Sequence, residues 1–275
     1  PVGKQSLYAT QFKNMPIGNV NEKFMDFSDV QIKKLNDRSK MYYTKNPENN
    51  IFSLTLRYGV GEREFPKLGI AAELMNNAGI MGAYEPQQLK EELSKLNATC
   101  SVNADDDYLY ITMRGYEETL PQACQLLARQ ILMPKLDDKQ LSRIKGSILG
   151  GRQQRKENVS LLANALTQYI RHGEKSSYID ELTDKEVYEL QISELTGDIN
   201  RAANYEAEIF YCGTLPFENA YDILSKNLPL VANERPSQSP QDTPLAPVTE
   251  NTIYFLPNSD AEQAQISFYL PMQKY

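Results

Sequence analysis

The chain has 275 residues, 41% hydrophobic and 24% charged, the balance of an ordinary soluble globular protein with a sizeable core. A formal net charge of −7 weighs against nucleic acid as a partner, and no apolar run is long enough to cross a bilayer. Cys100, Cys124 and Cys212 are odd in number and widely spaced, which excludes a disulfide scaffold and a cysteine zinc site but leaves the compartment open, periplasmic or cytoplasmic.

Residues 1–37 are polar and mixed, with Pro16 and Gly18, and read as an N-terminal arm that carries a short helix over Asp29–Leu35. Met41–Thr44 is a short strand and Asn46–Asn50 a turn. Ile51–Tyr58 follows as a strand of β-branched and aromatic residues. The Gly59-Val60-Gly61-Glu62 turn leads to a helix at Leu68–Ala78, with Gly79 as its C-cap. Pro86 opens a second helix that buries Leu89, Leu93 and Leu96. Thr99–Ala104 and Tyr108–Arg114 then form a hairpin, the second strand alternating Leu109, Ile111 and Met113 with Tyr110 and Thr112. Its tip, Asp105-Asp106-Asp107, lacks the ligand spacing and distal glutamate of a calcium loop and reads as a solvated turn.

A helix at Glu118–Met133 sets Leu120, Ala123, Cys124, Leu127 and Ile131 on one stripe, which makes Cys124 a buried hydrophobe. Asp137–Lys156 is the next helix, with Leu141, Ile144 and Ile148 inward and Gly150-Gly151 weakening it. Arg152, Arg155 and Lys156 have no interleaved aromatics and read as a solvated face rather than a nucleic-acid patch. Val159–Arg171 carries Leu162, Ala165, Leu166 and Tyr169. His172, the sole histidine, precedes Gly173 and suits the exposed carbonyls of a helix end better than a metal or base role. Thr183–Ala203 holds two short helices, Ala207–Gly213 a central strand and Pro216–Asn227 a helix. Five prolines mark 229–250 as a linker. Beyond it Ile253–Leu256, a turn at Pro257–Asp260 and Gln265–Leu270 repeat the opening strand–turn–strand. A following repeat is therefore expected to begin over 251–275, within a longer protein.

This order gives an α+β domain over residues 38–228, a mainly antiparallel sheet with helices on one face. Several stretches, in the same order, resemble one repeat of the insulinase/pitrilysin-type (inverzincin) zinc metallopeptidases. They are Asn50–Glu62 with its Gly-x-Gly-Glu turn, Leu68-Gly69-Ile70-Ala71, Glu91–Val102, Tyr108–Tyr116, Ile209–Gly213 and Ala261–Ile266. Active repeats of that family carry His-x-x-Glu-His directly after such a Gly-Ile-Ala. In that register this chain has Ala72, Glu73, Leu74, Met75 and Asn76: both histidines are missing and Met75 stands for the catalytic glutamate. The third ligand belongs on the Asp137–Lys156 helix, where Gly150-Gly151 stand and only Glu157 follows. Zinc catalysis needs three fixed ligands and an open position, so the resemblance implies no catalytic, cofactor or metal residue here. Zinc is then expected in the catalytic half of the parent protein.

The family's arginine–tyrosine pair has two candidates, Arg57-Tyr58 and Arg114/Tyr116, against plain surface or hairpin packing; in longer members the resemblance implies that the pair belongs to the last repeat, beyond Tyr275. The resemblance thus implies a zinc-free repeat from the C-terminal half of an insulinase-like protease. It would wall a chamber around an unfolded peptide, opposite a zinc-bearing repeat of the same protein or a partner chain. Two other readings are a non-proteolytic scaffold, like the core subunits of respiratory complexes, and a stand-alone peptide-binding module.

Overall fold

The computed structural model describes residues 6–13, 15, 27–230, 235–257 and 264–270. The chain divides into two units, Pro1–Val30 and Gln31–Tyr275. The first contains α1 (Leu7–Lys13). Every other element belongs to the second.

Six strands form its sheet: β1 (Gln31–Lys34), β2 (Lys40–Lys45), β3 (Ile51–Tyr58), β5 (Thr99–Ala104), β6 (Leu109–Tyr116) and β8 (Ala207–Gly213). Their spatial order is β1-β2-β8-β3-β6-β5. All neighbours are antiparallel except β2 and β8. Alternation decides which face is covered. Phe52, Leu54, Leu56 and Tyr58 on β3, Leu109, Ile111 and Met113 on β6, and Ile209 and Tyr211 on β8 are each exposed by 1% or less. Ser53, Thr55, Arg57, Tyr110, Thr112, Glu208 and Phe210 alternate with them on the opposite, half-buried face.

The buried face is covered by helices whose apolar stripes match it. They include α2 (Leu68–Met75), α4 (Leu120–Leu132), α8 (Ile192–Ala202) and α9 (Phe217–Asn227). On α4, Leu120, Ala123, Cys124, Leu127 and Ile131 are all buried, and each buried leucine contributes about 2 kcal/mol of transfer free energy. The Cys124 thiol is pushed up to about 12 by that burial. α3 (Pro86–Lys95) begins with a reciprocal cap between Glu85 and Gln88. It ends with Asn97 in the left-handed region at φ 48° and Ala98 N–H donating to Leu93 C=O at 2.9 Å.

α5 (Asp138–Glu157), α6 (Val159–His172) and α7 (Asp184–Glu189) complete the helices of this unit among the described residues. Arg152 and Arg155 do not form a solvated face. Both reach Glu181, at 3.4 and 3.3 Å, and Arg152 also binds Asp184 and the Leu182 carbonyl. Basic residues one helical turn apart thus tether the 181–184 loop.

The structure corrects three further expectations. Asp29–Leu35 is not helical: Gln31–Lys34 is the edge strand β1, paired with Tyr43–Lys40 of β2, because ladder partners outweigh the weak helix preference of a lysine-rich segment. The second unit begins at Gln31, the first residue of β1. Gly79 does not cap α2, which stops at Met75; it lies in β4 (Gly79–Ile80), paired with β7 (Pro134–Lys135). A Cβ there would sit 2.2 Å from the Tyr84 carbonyl oxygen, so close backbone approach is what demands glycine. The strands expected at Ile253–Leu256 and Gln265–Leu270 are not formed. Those residues have no ladder partner among the described residues, and Ile253, Phe255 and Phe268 are each at least 83% exposed. Part of the turn between them, 258–260, and part of Ala261–Ile266 fall outside the described residues.

The proline-rich stretch is anchored rather than free. Arg235 pairs with Asn204 and Glu206, Gln238 N–H donates to Gly59 C=O at 2.7 Å, and Ala246 N–H to Arg171 C=O at 2.7 Å.

A buried carboxylate in the turn between β6 and α4 ties that turn to β8. Glu117 accepts from Tyr211 Oη at 2.6 Å and from Thr214 N–H at 2.5 Å. Burial, reinforced by that carboxylate, pushes the Tyr211 phenol far up. Glu117→Leu leaves a buried hydroxyl and an amide without their acceptor and is expected to destabilise the chain by about 3 kcal/mol. Urea unfolding followed by circular dichroism measures this, and a loss below about 0.5 kcal/mol would contradict it.

Candidate functional site

The register of the metal motif lies on α2, which is positioned from both ends. At its start the Gly59–Glu62 turn grips the β5–β6 hairpin tip: Glu62 N–H donates to Asp105 C=O at 2.9 Å and Arg63 N–H to Asp106 C=O at 3.0 Å. The Arg63 guanidinium holds the Asp106 and Asp107 carboxylates at 2.9 and 3.0 Å. Asp105 accepts from the Asp107 and Tyr108 N–H groups at 2.9 and 2.7 Å, so the acidic tip is occupied by its own turn. Glu62 points the other way and accepts from Gly69 N–H in the first turn of α2. A Cβ on Gly69 would come within 1.8 Å of its Oε1. Burial, with Asp106 and Asp105 nearby, raises the Glu62 carboxyl above its ordinary value, and the Gly69 bond only partly opposes this.

Within α2, Ala72 and Met75 face the core at 1% exposure each. Asn76, just past the helix end, bonds the outer edge of β5: its Nδ2 donates to Val102 C=O at 2.8 Å and its Oδ1 accepts from Val102 N–H at 2.7 Å. The residue in the place of the second histidine thus imitates a strand partner. These side chains do not fit zinc. Ala72 has no donor, Met75 offers a thioether packed in the core, and the Asn76 oxygen is engaged by an N–H. Glu157 lies at the exposed end of α5, bonded to Gln153 at 2.7 Å. Among the described residues no cluster of three histidine, cysteine or acidic side chains is arranged to hold a metal.

Beside Asn76 lies a cavity of ≈570 Å³ between the end of α2, α3 and the start of β5. Met75, Leu89, Leu93 and Cys100 supply apolar wall, and Lys90 and Arg114 are among the lining residues. The Cys100 thiol is pushed up to about 12 by burial.

The two arginine–tyrosine candidates separate. Arg57 and Tyr58 are adjacent on β3 and so lie on opposite faces. Arg57 pairs with Glu208 between the rings of Tyr108 and Phe210, 4.6 and 5.1 Å from their centroids, while Tyr58 is fully buried with its hydroxyl unpaired. Arg114 and Tyr116 share one face of β6, are both exposed and both line the cavity. His172 ends α6, its Nδ1 3.1 Å from Pro244 C=O, and Cys212 is half-buried on β8. Sequence reasoning missed the Asn76–Val102 bond, because its partners are 26 residues apart and no local pattern announces it.

No family profile and no curated protein match the chain's sequence. The three-dimensional structure does have relatives. An inactive domain of an M16 peptidase from Pseudomonas fluorescens superposes with a TM-score of 0.65 and 18% identity, over 78% of this chain and 54% of that one. The chain has the fold of an M16 peptidase domain. A mutant of the ferredoxin protease FusC, bound to Arabidopsis ferredoxin, gives a TM-score of 0.67 at 12% identity, over 86% of this chain and 29% of the protease. Pitrilysin gives 0.60 at 14%, over 84% and 26%. The chain therefore spans from about a quarter to about half the length of these solved structures.

The electrostatics of the α2 turn are testable. A carboxyl whose pKa is raised on folding stabilises the fold below its unfolded pKa, and that contribution is lost as pH rises through the folded value. Glu62→Gln keeps an acceptor for Gly69 and does not titrate. The variant is expected to melt higher than the parent at pH 7, with the gap closing as pH falls to the ordinary 4.5. Thermal unfolding across that range checks this; a parent that is the more stable at pH 7 would refute it.

Proposed function

We propose that this chain is a zinc-free repeat of an M16-type peptidase, closing opposite a zinc-bearing repeat and walling a chamber around unfolded peptide. One observation carries the reading: in the register of the metal motif, Ala72 and Met75 are buried at 1% exposure and Asn76 is bonded to β5, so α2 is used for packing. The fold supports a two-part design, since the M16 inactive domain it matches is itself nearly twice as long as the matched segment, with 54% covered. Enclosing a peptide needs no chemistry from this half, only shape, backbone donors and acceptors at a sheet edge, and exclusion of water. The metal, the polarised water and the general base belong to the other half.

The reading separates from a non-proteolytic scaffold by reconstitution. The chain is mixed with the His-x-x-Glu-His-bearing repeat encoded in the same protein or beside it, and cleavage of an unfolded, fluorogenic peptide is followed. This chain alone does not cleave, and the mixture cleaves at least about tenfold faster than the zinc-bearing part alone, as expected when a missing chamber wall is restored. A zinc-bearing part fully active alone, or the absence of any such sequence, contradicts the proposal.

A further inference from the structure

The cavity beside Asn76 has the size of a ligand site and an unusual charge. At ≈570 Å³ it falls inside the range of small-ligand pockets. The chain has 36 acidic and 29 basic residues, yet Lys90 and Arg114 line the cavity and no Asp or Glu does. Among the described residues Lys90 donates only to the neutral Asn77 Oδ1, at 2.8 Å. Arg114 has no ion-pair partner among the described residues. Two uncompensated cations beside Met75, Leu89 and Leu93 favour an anionic group attached to an apolar body.

The sheet edge says what kind of body. β5 is the outermost strand of its side, and the Val102 N–H and C=O point outward into the Asn76 amide. Backbone groups alternate in direction along a strand, so those of Cys100, two residues earlier and lining the cavity, also point outward. An incoming extended chain can pair at Cys100 but meets the Asn76 side chain at Val102. A chain end is one strand that stops there, and of the two ends of a peptide the carboxy terminus carries the required anion.

We propose that this cavity binds the carboxy-terminal residue of a peptide, with an apolar side chain inside and the terminal carboxylate against Lys90 and Arg114. The choice of a peptide rests on the peptide-enclosing role proposed above; the cavity and its charge do not.

The test uses the 275-residue chain and a short N-terminally labelled peptide ending in Ala-Leu, as the free acid and as the C-terminal amide, read by fluorescence anisotropy. The free acid is expected to bind about tenfold or more tightly than the amide, as one charge-assisted contact provides. Arg114→Gln and Lys90→Gln, both at exposed positions, erase most of that preference while leaving the melting temperature unchanged. Leu93→Trp, which fills the cavity, abolishes binding of both forms. Equal affinity for acid and amide overturns the proposal, as does no binding of either. Decanoate is the remaining arm: binding of decanoate that depends on Arg114 while the peptide acid fails to bind assigns the cavity to a free fatty acid and also overturns it. None of these readouts involves cleavage, so failure here is distinguishable from failure of the reconstitution.

Discussion

The placement of β8 governs the rest of the molecule. Residues Ala207–Gly213 pair on one side with Lys40–Lys45 in parallel and on the other with Ser53–Tyr58 in antiparallel register. The sheet is therefore completed by a strand about 150 residues downstream of its neighbour, a high-contact-order arrangement that forms only after the intervening helices are available. The helices α2 to α8 all lie in sequence between those two strands. A slip of one residue would turn Ile209 and Tyr211 away from the core, so the Glu117 carboxylate on Tyr211 and Thr214 fixes register as well as adding stability.

The same constraint sets what α2 can do. It starts where β3 ends, at a turn held by the Gly59–Glu206 backbone bond and the Glu62 cap, so its position is dictated by the sheet. A metal helix in that position has to direct donors into an open cleft. Here Ala72 and Met75, a small residue and a flexible apolar one, are packed inward. Asn76 takes over the edge of β5. Unpaired edges invite unwanted strands, and the two ends of this sheet are protected differently. β1 is short and lysine-bearing, while β5 has a side-chain amide across its middle. The protection at β5 leaves open the stretch beside the cavity.

Much of this was legible because the strong signals are local. The period-two alternation of Tyr108–Arg114, the stripe from Leu120 to Ile131, the Pro86 helix start and the β-branched run at Ile51–Tyr58 fold as their patterns require. So do the acidic hairpin tip and the buried Cys124. The errors fall where long-range partners decide. Gly79 serves a two-residue sheet whose other strand is 55 residues away. The proline run looks like a linker by composition, yet Asn204, Gly59 and Arg171 supply bonds that hold it. At the site, what Asn76 does and the cations beside the cavity were not legible in the sequence.

The central claim is that α2 packs and does not bind metal, and zinc content tests it most directly. The chain is purified without chelator in the presence of equimolar zinc, passed through a desalting column, and its metal measured by mass spectrometry. The account predicts far less than one zinc per chain. One tightly held zinc per chain, lost on substitution of Glu73 or Glu157, would contradict it.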